Sequence, residues 1–253
     1  MQRYFLEEDY TAKEQYEVVG EPYHHMVRVM RMTPGNQVYL VFANQVSIVA
    51  EISGITESAV CLVEKEKEQQ EKELPVAITI ASGYPKGDKL DLIVQKGTEL
   101  GAAGFIGFPA KTSVVKWDGK KLAKKQQRLE KIAQEAAEQS HRQVTPTVAL
   151  LDSEKTFIQQ LTQFDMIVIA YEESAKQGEV SQLAQILQTV KAGSRILAIF
   201  GPEGGLTPAE VEQFMAAGGQ PCGLGPRILR TETAPFYLLS AASYQLELLK
   251  VSN

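Results

Sequence analysis

Short runs of alternating apolar and polar residues dominate the start of the chain. Gln37–Phe42, Val46–Ile52 and Ala59–Val63 read as strands, separated by the turn signals Ala43-Asn44 and Ser53-Gly54. They predict a small β-rich domain. Residues 64–74, EKEKEQQEKEL, offer no apolar face and are expected to form a linker or exposed loop, which divides the chain into domains over 1–70 and 75–253. After Pro75 the period changes. Apolar runs at Val76–Ser82, Gly104–Phe108, Met166–Ala170, Arg195–Phe200 and Gln220–Leu224 alternate with amphipathic stretches near 88–100, 120–140, 179–191 and 207–217, and a last helix is expected near 235–250. That alternation predicts an α/β domain with a mainly parallel sheet, whose ligands bind beyond the carboxyl ends of the strands. The loops after Ala170, Phe200 and Leu224 are the places to look.

With 253 residues, 44% of them hydrophobic, the chain can bury a substantial core. No apolar run approaches the length of a membrane span and the first residues, MQRYFLEEDY, lack the features of a signal peptide, so a cytoplasmic, membrane-free protein is expected. Cys61 and Cys222 stand far apart without metal-ligand spacing and are expected to be small buried residues rather than a disulfide or zinc site. The net charge of −5 argues against indiscriminate coating of nucleic acid. The charge is uneven, however: Lys86 to Arg142 holds 12 Lys and Arg against 7 Asp and Glu. Such a segment suits either a local hold on a phosphate backbone or a solvated helix face.

Two loops carry candidate chemistry. Residues 195–210, RILAIFGPEGGLTPAE, run from a strand through Gly-Pro-Glu-Gly-Gly into Thr207-Pro208-Ala209-Glu210, a capping box with proline at the first helical position. Glycines there allow positive φ and close backbone approach to a flat ligand. The loop is neither a Walker A motif nor a dinucleotide fingerprint, and by itself it is as compatible with a structural turn as with a ligand loop. The second, LGPRILRTETAPFYLLSAASY at 224–244, sets two arginines and a glutamate around an apolar patch at a strand end. That composition suits stacking a base, holding an anion and handling a proton.

The pair GPEGG and LGxRILRxETA, with QKGTELG at 95–101, EQSxR at 138–142 and HHMVRVMRMTPG at 24–35, resembles the RsmE family of ribosomal RNA methyltransferases, which modify N3 of a uridine in 16S rRNA. The resemblance implies a PUA-like β-barrel RNA-binding domain followed by a SPOUT α/β domain with a C-terminal trefoil knot. It also implies S-adenosylmethionine as cofactor, S-adenosylhomocysteine as product, no metal, 16S rRNA or the 30S subunit as partner, and a homodimer. One feature of the chain agrees with the dimer: Phe236, Leu238, Leu239, Tyr244, Leu246, Leu248 and Leu249 spread around more of the last helix than one buried face requires. A central core helix in a monomer is the other reading.

The resemblance places the adenosine and methionine parts of the cofactor among Ala170, Tyr171, Phe200, Gly201, Gly205, Leu224, Gly225, Ile228 and Leu229, with Glu203 in the same loop and inclined to bond within it. Uracil N3 is a poor nucleophile until it loses its proton, so a base or a cation facing the uridine anion is needed. Arg230 and Glu232 are the catalytic candidates; the alternative is a structural pair, with Glu232 capping the last helix and Arg230 bound to it. RNA contacts are expected at Arg3, His25, Arg28 and Arg31 of the first domain and at Lys96 and Arg142 of the second. Lys120, Lys121, Lys124, Lys125 and Arg128 form a further basic stripe. Two other functions stay open: methylation of a ribose 2′-hydroxyl or of transfer RNA by a related knotted enzyme, and a non-catalytic RNA-binding assembly factor.

Overall fold

The computed structural model describes residues 1–171 and 182–249. They form two compact units, Met1–Glu73 with Ala137–Val144, and Leu74–Ala136 with the chain from Thr145 onward.

The first unit is a curled five-stranded sheet of β1 (Gln2–Phe5), β2 (Tyr16–Val18), β3 (Gln37–Val41), β4 (Ser47–Ile55) and β5 (Val60–Lys67), in the order β1-β3-β4-β5-β2. β1 runs parallel to β3, and the other pairings are antiparallel. Register shifts at Val49/Ala50 and Ile52/Gly54 add the twist that curls the sheet. Among the described residues β1 and β2 do not pair, so the expected barrel is a half-barrel. Its inner face buries Tyr4, Tyr16, Leu40, Ile48, Ile52 and Leu62, together with Met26 from the turn His25–Val29 that follows helix α1 (Gly20–His24).

The expected linker at 64–74 needs correcting, because β5 continues through Lys67 and the polar residues here do have buried partners. Glu64 accepts hydrogen bonds from the hydroxyls of Tyr10 at 3.0 Å and Tyr16 at 3.2 Å. Glu68 takes both oxygens to Arg3 Nη2 at 2.7 Å. A charged run can enter a core when its counter-charges come from distant strands.

The second unit is a six-stranded parallel sheet of β6 (Ala77–Gly83), β7 (Gly104–Phe108), β8 (Thr147–Leu150), β9 (Met166–Ala170), β10 (Arg195–Phe200) and β11 (Gly219–Cys222), in the order β11-β9-β10-β6-β7-β8. Its helices are α2 (Lys89–Glu99), α3 (Gly119–Gln139), α4 (Glu154–Gln160), α5 (Gln182–Thr189), α6 (Pro208–Ala216) and α7 (Thr233–Ser243), and the last residues of α3 belong to the first unit. Of the stretch expected near 179–191, residues 179–181 lie outside the described residues, as does residue 250 at the end of the last expected helix. Apolar cores cover both faces of the sheet: on β10, Ile196, Ala198 and Phe200 enter one core, and Leu197 and Ile199 the other. β10 follows β9 in sequence but lies between β9 and β6, which opens a crevice at the carboxyl ends of these strands. Among the described residues no helix is long and apolar enough to cross a membrane.

Candidate functional site

A cavity of about 1070 Å³ opens at the carboxyl ends of β9, β10 and β11. Ala170 and Tyr171 reach it from β9, and Phe200, Gly201, Glu203 and Gly205 from β10 and the loop after it. Leu224, Gly225, Ile228 and Leu229 supply another wall, and Arg230 lines the same space. All ten residues assigned to the cofactor from the sequence therefore share one cavity. Beyond Tyr171, the loop after Ala170 lies outside the described residues.

The glycine-rich loop is held from several sides. Thr207 caps α6 and forms the full capping box with Glu210, with Pro208 at the first helical position. Glu210, itself buried, also accepts the Lys111 N–H at 2.8 Å. The Thr112 hydroxyl donates to the Gly205 carbonyl at 2.5 Å. Glu203 accepts the Lys86 N–H at 3.1 Å and the Lys89 ammonium at 2.8 Å. It bonds both within its own loop, to its own backbone N–H, and outward to the loop after β6 and the start of α2. Burial works to raise the Glu203 carboxyl, but the Lys89 and backbone hydrogen bonds bring it below its usual value. Lys86, Lys89 and Thr112 escape the sequence reading because it follows only the loops after β9, β10 and β11; the Lys-Gly-Asp-Lys run at 86–89, beyond the neighbouring strand β6, is the signal that points to them.

The reason for glycine at 201 is local. A Cβ there would stand 2.6 Å from the Gly205 carbonyl carbon and 2.8 Å from the Leu206 nitrogen, so the turn folds against its own backbone. Gly205, at φ +69°, and Gly225, at φ +89°, take the left-handed backbone that favours glycine.

Arg230 is exposed and has no ion-pair partner among the described residues, while its carbonyl accepts the N–H groups of Thr233 and Ala234 at the start of α7. Glu232 stands at the cap position of α7, yet its side chain makes no capping bond. Instead Glu232 Oε2, shielded from solvent and without a hydrogen bond, faces Lys89 Nζ at 3.4 Å. The structural pair weighed from sequence, with Glu232 capping and Arg230 bound to it, is not what forms. Lys89 also lines the cavity, and Glu232 stands in the same segment as its lining residues Arg230, Thr231 and Ala234.

The expected RNA contacts divide. Arg28 and Arg31 are exposed, and Lys96 is partly exposed and paired with Glu99 at 2.8 Å. His25 is half-buried, its Nδ1 2.9 Å from the Tyr4 hydroxyl, whose pKa is raised by burial and by Glu138. Arg3 and Arg142 do not belong on this surface. Arg3 is 1% exposed, bound to Glu68 and lying 4.5 Å from the centre of the Tyr39 ring, and Arg142 is 3% exposed and paired with Glu73. Each guanidinium neutralises a carboxylate of the first unit instead of meeting solvent. Among the described residues no His, Cys, Asp and Glu cluster could hold a metal, and both cysteines are free, with Cys222 buried and Cys61 partly so.

Comparison with known proteins gives this geometry a context. Residues 72–243 match a family described as an RNA methyltransferase domain, and residues 20–65 one described as an RNA methyltransferase PUA domain. The chain is 50% identical over 256 residues to ribosomal RNA small subunit methyltransferase E of Bacillus subtilis (strain 168), covering 99% of both proteins. A crystal structure of ribosomal RNA small subunit methyltransferase E from Neisseria gonorrhoeae bound to S-adenosyl methionine superposes with a TM-score of 0.80 at 25% identity, covering 96% of this chain and 97% of that one. A methyltransferase of Legionella pneumophila in complex with the same cofactor gives 0.80 at 26% identity, over 95% and 96% of the two chains. The first unit is thus PUA-like and the second a parallel-sheet RNA methyltransferase domain, and the chain belongs to the RsmE family of ribosomal RNA small subunit methyltransferases.

Proposed function

We propose that this protein methylates N3 of a specific uridine in 16S rRNA, using S-adenosylmethionine, and that it works in the cytoplasm as a homodimer. The observation that carries the reading is the single cavity walled by the glycine-rich loop 201–205 and the segment 224–230, whose Arg230 has no ion-pair partner among the described residues. The cavity suits the cofactor. Its volume of about 1070 Å³ lies just above the ~300–1,000 Å³ usual for ligand pockets, and its walls combine apolar Leu224, Ile228 and Leu229 with tightly packed, glycine-rich backbone. Bound there, S-adenosylmethionine supplies a sulfonium methyl group and leaves as S-adenosylhomocysteine.

Arg230, on the lining, meets the negative charge that develops on the uracil oxygens as N3 loses its proton. Glu232 is the acceptor of that proton, its carboxylate held ready by Lys89. The exposure of Tyr237, Tyr244, Leu248 and Leu249, at 41% to 68%, supports a dimer face on and after α7. Light scattering at about twice the 27.9 kDa chain mass would agree, and a fully active monomer would contradict it.

The test of the catalytic roles is kinetic. Arg230→Ala and Glu232→Gln should each lose on the order of 10²-fold or more in rate while keeping cofactor affinity within a few-fold, because they act chiefly in the transition state. Near-normal turnover in both variants would remove these residues from catalysis.

A further inference from the structure

We propose that Lys89 is a positioning residue for methyl transfer, fixing the Glu232 carboxylate by tying it through one ammonium group to Glu203 of the glycine-rich loop. This rests on the reading that Glu232 takes part in turnover. Lys89 is the first residue of α2, and its Nζ stands 2.8 Å from Glu203 Oε1 and 3.4 Å from Glu232 Oε2. Three segments distant in sequence thus meet at one cation: the start of α2, the loop after β10 and the entry to α7.

The state of Glu232 carries the inference. The first turn of α7 offers Glu232 no donor, because the Arg230 carbonyl takes the N–H groups of Thr233 and Ala234 and Pro235 has none. Glu232 makes no capping bond, and among the described residues its Oε2 is buried with no hydrogen bond. A carboxylate with a buried, unbonded oxygen is costly unless a charge nearby compensates it. Lys89 is that charge, and it stays cationic because its hydrogen bond to Glu203 raises its pKa. Without the ammonium, the Glu232 carboxylate loses the one charge that faces it among the described residues and is free to leave the position from which it serves the cavity. A tie between Lys89 and Glu203 alone would steady the loop but leave Glu232 indifferent.

The experiment is a double-mutant cycle on the full-length protein, read as kcat at saturating S-adenosylmethionine, with melting curves to verify folding. Lys89→Met should lower kcat by about tenfold, the scale of coupling within one charge network. Lys89→Arg should restore most of it, and adding Lys89→Met to Glu232→Gln should cost little more. A Lys89→Met enzyme with wild-type kcat, or a loss that multiplies undiminished onto a slow Glu232→Gln enzyme, overturns the positioning role while leaving Glu232 in catalysis. Wild-type turnover in Glu232→Gln overturns both readings at once.

Discussion

Replacing Gly201 with alanine adds one methyl group where the loop has no room. The new Cβ would lie 2.6 Å from the Gly205 carbonyl carbon, and ordinary contact begins near 3.4 Å, so the turn must open by about 0.8 Å. The obstacles are backbone atoms and cannot swing aside. The turn is also pinned by the Gly205 N–H donating to the Pro202 carbonyl at 2.8 Å and by the Thr112 hydroxyl on the Gly205 carbonyl at 2.5 Å. Overpacking of this kind costs about 1–3 kcal/mol. If that cost falls on the liganded form, affinity for S-adenosylmethionine drops roughly 5- to 150-fold. Calorimetric titration of the folded variant reads this directly, with the exposed Gln188→Ala as a control that should bind like the parent. Unchanged affinity in a folded Gly201→Ala protein would refute the assignment of the cofactor to this loop.

Charge reversal at Lys121, Lys124 and Lys125 should weaken RNA binding, because residues 119–129 hold no acidic group and Lys121 and Lys124 are exposed. The slope of log affinity against log salt should fall by roughly one unit for each phosphate that is no longer neutralised, and an unaltered slope would return this stripe to plain solvation. Arg3→Met should cost about 1.5–3 kcal/mol in urea unfolding, since it removes the two-oxygen partner of the Glu68 carboxylate, whose side chain is only 5% exposed, and leaves Lys72 as its ion pair. A near-normal midpoint would mean that water reaches Glu68. Burial pushes the Glu68 carboxyl up, but hydrogen bonds from Arg3, Lys72 and Ser47 outweigh it and leave its pKa below the ordinary 4.5. Its contribution is therefore complete above that value and fades as pH falls through the lowered one, so the wild type should lose stability on acidification over that window while Arg3→Met loses less there. Parallel melting curves that fall equally in both proteins would contradict the linkage.

What the sequence made legible follows the range of the forces. β7, β9 and β10 lie where the apolar runs place them, because strands buried on both faces must be continuously apolar. The Thr207–Glu210 capping box was equally legible, since its partners stand three residues apart. β1, β2 and β8 were missed: each has three or four residues, too few to show a period, and β1 draws its order from pairing with β3. The character of 64–68 was misjudged for a related reason, as Glu68 finds its partner 65 residues away at Arg3. Arg3 and Arg142 were assigned to the RNA surface on residue type, and only their burial reveals them as internal counter-charges. At the site, the glycine-rich loop 201–205 and the segment 224–230 were readable as motifs. Lys89 was not, because its meaning depends on Glu203, 114 residues on.

The reaction itself is tested by incubating purified protein with S-adenosylmethionine and unmodified 16S rRNA, then mapping the product by mass spectrometry of nucleosides and by primer extension. A methyl group on N3 blocks the Watson–Crick edge of uracil, so a 3-methyluridine signal should appear together with a strong reverse-transcriptase stop at one uridine, and both should be strongly reduced at matched times with Arg230→Ala. A methyl on a ribose 2′-hydroxyl, seen as alkali resistance without a stop, or no methylation of either free 16S rRNA or the 30S subunit, would contradict the uracil-N3 activity proposed for this cavity.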